Sequence, residues 1–278
     1  MKYRGNFTSL PEIDRPRHAF PALLAAGVAL ALASVAPVGW AQDGNETPFS
    51  VANVFFELND TDGDLGIHAL IDGEPWKTLS IEDPRARKLL LVSVKGRLRR
   101  QGLTELFFES AEPPFESDDP NEVTLSPEDF FRRFPEGKYQ IDGMTLDGRE
   151  LESVAQVTHL MPAPPENISV SGIAAAEDCD AVPLPAVSGP VIISWDPVTE
   201  SHPEIGRTGE PVEVVQYQLV VEREEPNVFV FSVDLPPTAT QFEVPSNFIA
   251  LADEFKFEIL VREASGNQTA RESCFEVQ

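Results

Sequence analysis

The sequence contains few of the residues on which disulfide frameworks, zinc clusters and nucleic-acid binding depend. Its 278 residues include only two cysteines, too few for a disulfide-dense miniprotein or a four-cysteine zinc site. Lysine and arginine number 21 against 46 aspartates and glutamates, which gives a formal net charge of −25. Such a chain repels phosphate backbones, so we expect no nucleic-acid partner.

The sequence also lacks the signatures of common enzyme classes. It has no Gly-x-Ser-x-Gly, no His-Glu-x-x-His and no phosphate-binding glycine loop. Beyond residue 41 only three histidines remain, His68, His159 and His202, and none has a second ligand at zinc spacing. His68 and His159 fall in predicted strands, where a histidine with satisfied hydrogen bonds is the simplest expectation. These absences favour a protein that is not an enzyme.

Residues 1–41 are organised like a secretory signal peptide. Four basic side chains precede an uncharged, alanine- and leucine-rich run over 20–38, and Gly39-Trp40-Ala41 supplies small residues before a cleavage site. A membrane anchor is the alternative, but Pro21 and Pro37 leave an unbroken stretch shorter than the roughly 20 residues of a spanning helix. We therefore predict cleavage, no membrane span in the mature chain, and a secreted or periplasmic location.

The rest of the sequence predicts an all-β fold. Short β-branched and aromatic runs recur between proline and Asp-Gly pairs, a pattern typical of antiparallel β-sandwiches. The pairs at 72–73, 142–143 and 147–148 predict tight turns. One short helix is expected, because Ser126 can cap its start, Pro127 suits its first position, and Pro135 and Gly137 end it.

The proline-rich segment 161–165 predicts a stiff linker and divides the mature chain. We expect an Ig-like β-sandwich of unknown family over 42–162 and a second sandwich over 163–278. Seven of the basic residues lie between positions 85 and 100. They predict a solvated strand edge that resists pairing with another chain, or else a surface for an anionic polymer.

The second half resembles a fibronectin type III domain over nearly its whole length. The segment 164–168 leads into an A-like strand, Trp195 in Ile-Ser-Trp-Asp-Pro is similar to the strand B core tryptophan, and Tyr217 is similar to the strand C aromatic residue. The run 255–267 resembles strand F and its turn, with Phe255 in place of the family's corner tyrosine. The resemblance implies a sandwich that serves as spacer, adhesion module or binding platform.

The most distinctive local feature is the acidic turn, residues 59–66. Its carboxylates Asp60, Asp62 and Asp64 would repel one another unless water or a cation lay between them, and Ca²⁺ binds such oxygens readily. The run resembles the start of an EF-hand loop, but Leu65 and Ile71 stand where that loop has its glycine and its bidentate glutamate. The sequence allows either a structural calcium ion or a plain polar turn.

Cys179 and Cys274 are expected to form a disulfide, since the acidic residues around Cys179 indicate a solvated loop and export permits oxidation. Two thiols, buried or reactive, are the alternative. Taken together, the sequence predicts an exported, non-catalytic binding or adhesion module at the cell envelope or outside the cell, with an unidentified protein or glycan ligand. The alternatives are an accessory carbohydrate-active protein or hydrolase with its site on loops 60–66, 72–76 and 110–125, or a structural spacer.

Overall fold

The computed structural model describes residues 47–223 and 227–278, and the predicted signal peptide lies outside these ranges. The first half contains eight regular elements. They are β1 (Val51–Asn59), β2 (Asp64–Glu82), β3 (Lys88–Ser93), a 3₁₀ helix (Gly96–Arg100), β4 (Leu103–Glu109), α1 (Pro127–Arg133), β5 (Gly137–Thr145) and β6 (Glu150–Val157).

The second half contains strands of two to ten residues and one further helical turn. Its elements are β7 (Ser169–Val170), β8 (Ile173–Ala174), β9 (Ala186–Val187), β10 (Ile192–Ser194), β11 (Val214–Arg223), β12 (Phe229–Leu235), β13 (Gln241–Glu243), α2 (Ser246–Ile249), β14 (Glu254–Glu263) and β15 (Gln268–Val277). The all-β prediction is confirmed. The one-turn helix α2, which follows Pro245, was not expected from the sequence.

The long strand β2 gives the first sandwich its shape. Its first part pairs with β1 and β4, its second part with β3 and β5, and the register shifts between Asp72 and Trp76. Strands that pass from one sheet to the other at such an irregularity form the corners of sandwiches. β6 pairs with β5 beyond it. The core between these layers includes Trp76, which is fully buried.

Two of the three turns predicted from Asp-Gly pairs are wrong. Gly73 lies inside β2 and Gly143 inside β5, and only the pair at 147–148 lies in a turn. A Cβ atom at Gly73 would lie 3.0 Å from the Phe49 ring, and one at Gly143 would lie 2.7 Å from it. These glycines therefore make room for the buried Phe49 side chain and do not reverse the chain.

The predicted helix is confirmed as α1. The Ser126 hydroxyl accepts a hydrogen bond from the backbone N–H of Asp129, and Pro127 is the first helical residue. The helix is held by its aromatic side chains. Phe130 is buried, and its ring packs 5.2 Å from that of Phe56 on β1 and 4.8 Å from that of Phe134.

The second half is a fibronectin type III-like sandwich. One sheet has the order β13-β10-β7-β8, and the facing layer has the order β12-β11-β14-β15. Trp195 and Tyr217 meet in the core between them with ring centroids 5.5 Å apart, and Phe255 packs there against Phe275. Tyr217 also ties the core to a loop, because its hydroxyl accepts a hydrogen bond from the Val198 N–H.

The two halves share one sheet. β1 and β15 pair in parallel, with Glu57 opposite Gln268. This pairing joins the first half to the β12-β11-β14-β15 layer of the second half in one eleven-stranded sheet. We call this pairing the seam. Side chains reinforce it. Asn267, which is 1% exposed, accepts a hydrogen bond from the Phe56 N–H and donates to the Leu160 carbonyl, and Thr269 donates to the Pro162 carbonyl.

The predicted disulfide is present. Cys179 and Cys274 are bonded, with Cα atoms 4.9 Å apart, and they tie the loop after β8 to β15. Among the described residues, no helix is long and apolar enough to cross a membrane.

Candidate functional site

A cavity lies on the face of the shared sheet that points away from both cores, where strands of the two halves meet. Its volume is about 270 Å³. Aromatic, amide and charged side chains line it: Phe55, Glu57, His68, Phe107, Glu109, Gln218, Glu258, Leu260, Arg262 and Gln268. We call it the seam cavity.

Strand alternation explains why these residues share one face. In β1, Phe56 and Leu58 enter the first core, so Glu57 between them points to the opposite side. In β14, Phe257 and Ile259 enter the second core, so Glu258 between them also points outward. The parallel seam brings these two outward faces side by side.

His68 lies at the centre of a group of carboxylates at the edge of the seam cavity. It stands directly opposite Phe55 on β1 and Glu109 on β4. Its Nε2 lies 2.9 Å from Glu112 Oε1, and its Nδ1 lies 3.7 Å from Glu57 Oε2. Ligand atoms of His68, Glu109 and Glu112 all lie within 4.8 Å of one another. No other set of histidine, cysteine and acidic residues converges this way in the described part of the chain.

Aromatic rings enclose the histidine. The centroid of the His68 ring lies 5.3 Å from that of Phe55 and 6.1 Å from that of Phe107. His68 is only 3% exposed, whereas Phe107 is 55% exposed and forms part of the cavity mouth. On the other side of the cavity, Arg262 donates two hydrogen bonds to Gln268 Oε1, and the Gln268 amide donates to Glu57.

Burial and charge change the ionisation of the group. Burial raises the pKa of Glu57, and the charges of Glu112 and Glu109 act in the same direction against the opposing effect of His68. Burial would lower the pKa of His68, but its hydrogen bond to Glu112 and the nearby carboxylates raise it overall. The imidazole is thus drawn towards the charged form by the acids around it.

Two further carboxyl groups on this face have strongly raised pKa values. Burial and then the charge of Glu112 raise the pKa of Asp64 to about 7. Burial and the charges of Glu57 and Glu272 raise the pKa of Glu258 to about 8. This face therefore gathers more negative charge than its own cations neutralise, and it favours a proton or a bound cation.

The structure assigns different surroundings to the three carboxylates of the acidic turn. Asp60 contacts two side chains of the second half: it is hydrogen-bonded to His202 Nε2, at 2.9 Å, and forms an ion pair with Arg271. Asp62 accepts a hydrogen bond from the Asn59 amide. Asp64 has a buried Oδ1 with no hydrogen-bond partner in the described part of the chain. Calcium binding at this turn stays a prediction.

Part of the basic region, residues 85–100, lies beside helix α1. Arg85 and Arg87 line a shallow cavity of about 600 Å³ together with Arg132 and Arg133 of the helix. Arg87 is paired there with Asp83 at 2.6 Å. The basic residues of the 3₁₀ helix are exposed. Both interpretations of the basic region remain predictions.

Sequence reasoning missed the group around His68. The predicted strands contained Glu57, His68 and Glu109 at positions alternating with apolar residues, which is a signal for the outward face. The sequence gives no sign of the register that places His68 opposite Glu109. It also gives no sign that the irregular segment after β4 brings Glu112 back to His68. Neither has a local signature, because both depend on contacts more than 40 residues apart in sequence.

No family model matches the chain, and no curated protein matches it. Among solved structures, a bacterial ice-binding adhesin aligns at 8% identity and TM-score 0.23, covering 84% of this chain and 66% of the adhesin chain. The chicken CNTN1 FN1-FN3 domains align at 9% identity and TM-score 0.31, covering 84% and 65%. This chain thus spans just under two thirds of either. A two-domain fibronectin type III segment of chicken tenascin aligns at 10% identity and TM-score 0.26, covering 84% and 99%. The fold assignment rests on the strand order described above.

Proposed function

We propose that the protein is an exported, non-catalytic binding module that acts at the cell envelope or outside the cell. The observation that carries the proposal is the mouth of the seam cavity, where the ring of Phe107 is 55% exposed beside carboxylate, amide and guanidinium groups. An exposed aromatic ring with convergent polar groups is typical of surfaces that recognise a protein or a glycan.

The seam supports this role because it holds the site rigidly. The cavity residues lie mainly on strands, and the strands of the two halves are tied by backbone pairing and by the buried Asn267 amide. A site held by strands keeps its geometry better than one carried by loops. Little conformational freedom is then lost when a ligand binds.

The disulfide supports the proposed location outside the cytosol. A bond between Cys179 and Cys274 persists in oxidising surroundings such as the periplasm or the cell exterior and is rare in the cytosol. It fits the signal peptide expected over residues 1–41, and a secreted or periplasmic location follows from the two together as part of the proposal.

A hydrolase is the second candidate, and one observation favours it. Asp64 and Glu258 have pKa values near neutrality, about 7 and about 8, as a general acid requires. Asp64 and Glu112 also come from two of the loops predicted to carry such a site, 60–66 and 110–125. The two candidates differ in whether a bound polymer is cleaved.

The test compares two substitutions at similarly exposed apolar residues. Phe107→Glu changes the cavity mouth, whereas Leu98→Glu changes the 3₁₀ helix, where Leu98 is 49% exposed. Each protein is mixed with an isolated envelope fraction, and the sedimented share is measured together with any soluble fragments released. We expect Phe107→Glu to sediment with the envelope fraction at least tenfold more weakly than the native protein. Leu98→Glu should sediment as the native protein does. Equal sedimentation of both variants would contradict the binding site, and steady fragment release by the native protein would favour the hydrolase.

A further inference from the structure

We propose that His68, Glu109 and Glu112 bind a divalent transition-metal ion, with Zn²⁺ as the representative, at the edge of the seam cavity. Their ligand atoms lie within 4.8 Å of one another. One imidazole and two carboxylates suit Zn²⁺ and its neighbours, whereas Ca²⁺ and Mg²⁺ prefer oxygen ligands alone. Three protein ligands would leave a further coordination position open to water or to a ligand in the cavity.

The backbone holds two of the ligands in place. His68 and Glu109 are directly opposite each other in the β2–β4 ladder, so their side chains leave the sheet on the same face and close together. Glu112 lies three residues beyond the end of β4, and its Oε1 is 2.9 Å from His68 Nε2. A metal ion at this point would take the place of the proton that the two atoms share.

Gly66 makes room for the third ligand. It lies two residues before His68 on the same strand, opposite Glu57 on β1. A Cβ atom at this position would overlap the carboxylate of Glu112. Gly66 has no positive φ that would require glycine. The absence of a side chain therefore serves the position of the Glu112 carboxylate and not a turn.

A further carboxylate lies behind the His68 imidazole. With Nε2 directed at Glu112, the other ring nitrogen of His68 faces Glu57 Oε2 at 3.7 Å. A carboxylate behind a metal-bound imidazole fixes its tautomer and strengthens it as a ligand. The Gln268 amide in turn holds Glu57. Asp64, whose Oδ1 is buried and without a partner in the described residues, is a further carboxyl group close to Glu112.

The first test is a calorimetric titration of chelator-treated, full-length protein with ZnCl₂. We expect one Zn²⁺ per chain, and at least tenfold weaker binding in Glu109→Gln and in Glu112→Gln. Glu105→Gln is the matched control, since Glu105 is an exposed carboxylate on the same strand, and it should leave binding unchanged. Glu57→Gln, which removes the negative charge behind the imidazole, should weaken binding less than either ligand substitution does.

Gly66→Ala separates a metal site from a structural role. It keeps every ligand, and the Glu112 side chain must move from its Cγ outward to admit the methyl group. The variant should therefore fold with a melting temperature near that of the native protein but bind Zn²⁺ at least tenfold more weakly. Visible absorption of bound Co²⁺ should appear in the native protein and be lost in Gly66→Ala and in His68→Gln.

Three results would overturn the proposal. One is the absence of saturable Zn²⁺ binding by the native protein. The second is equal binding by the native protein and by Glu112→Gln or Gly66→Ala. The third is displacement of Zn²⁺ by equimolar Ca²⁺, which would show that the oxygen ligands alone hold the ion.

Discussion

Replacing the buried Asn267 by alanine should weaken both halves of the protein at once. Its side chain accepts a hydrogen bond from the Phe56 N–H at 2.8 Å and donates to the carbonyls of Thr158 and Leu160, each at 2.9 Å. In Asn267→Ala the buried N–H loses its partner, which costs about 1–3 kcal/mol, and the two partly buried carbonyls add about 1 kcal/mol. We therefore expect the free energy of unfolding to fall by about 2–4 kcal/mol.

The two core tryptophans allow this effect to be followed in each half separately. Trp76 lies in the first core and Trp195 in the second. Urea unfolding is measured by fluorescence in proteins that retain only one of these two core tryptophans, with the other replaced by phenylalanine. Both reporters should show the loss of stability caused by Asn267→Ala, because the seam joins the halves. Asn121→Ala is the control at an exposed loop position, with an expected change within about 0.5 kcal/mol.

Asn267 would have no role in holding the seam if Asn267→Ala changed stability no more than the control does. A loss reported by only one of the two tryptophans would contradict the prediction as well, since the amide would then stabilise one half alone. A change in the slope of the unfolding free energy against urea concentration, without a change in midpoint, would indicate that the substitution acts on the unfolded state.

Three further predictions follow from features of the fold and the acidic turn. Replacing Cys179 and Cys274 by serine should lower the free energy of unfolding by about 4–5 kcal/mol, because the bridge closes a loop of 95 residues; an unchanged melting temperature would contradict this. Hydrogen bonds from Arg87 outweigh burial and lower the pKa of Asp83. The ionised Asp83 therefore adds to the stability of the folded protein above the ordinary pKa of aspartate, and this added stability is lost as the pH falls through the lowered pKa of the folded state. Acid unfolding curves should therefore show a smaller loss of stability below about pH 4 in Asp83→Asn than in the native protein. If the predicted calcium ion is real, calcium should raise the melting temperature of the native protein but not of Asp62→Ala; no shift in either would remove the site.

Much of the fold was predictable because its signals are local. Alternating apolar residues fix which side of a strand enters a core, and Ser126 with Pro127 fixes where α1 begins. The Trp195 and Tyr217 positions in the second half carried the resemblance to the fibronectin type III fold, and both rings lie in its core. Each of these features depends on a few neighbouring residues.

What could not be predicted depends on distant contacts. Gly73 and Gly143 follow aspartates as turn glycines do, yet their role is set by the ring of Phe49, which packs over both. The partners of His68 are likewise chosen by the register of β2 with β4. In both cases the deciding residue lies far away in sequence, so the local pattern pointed to a more common arrangement.

The pairing of β1 with β15 also constrains the order in which the chain can fold. The Phe56 N–H donates a hydrogen bond to the Asn267 side chain, which is 211 residues away in sequence. Contacts at such separations form late because a large loop must close first. The sheet of the first half therefore stays incomplete until the last strand is available. Until β15 has been made and has paired with it, β1 keeps one unpaired backbone edge, which is open to pairing with other chains.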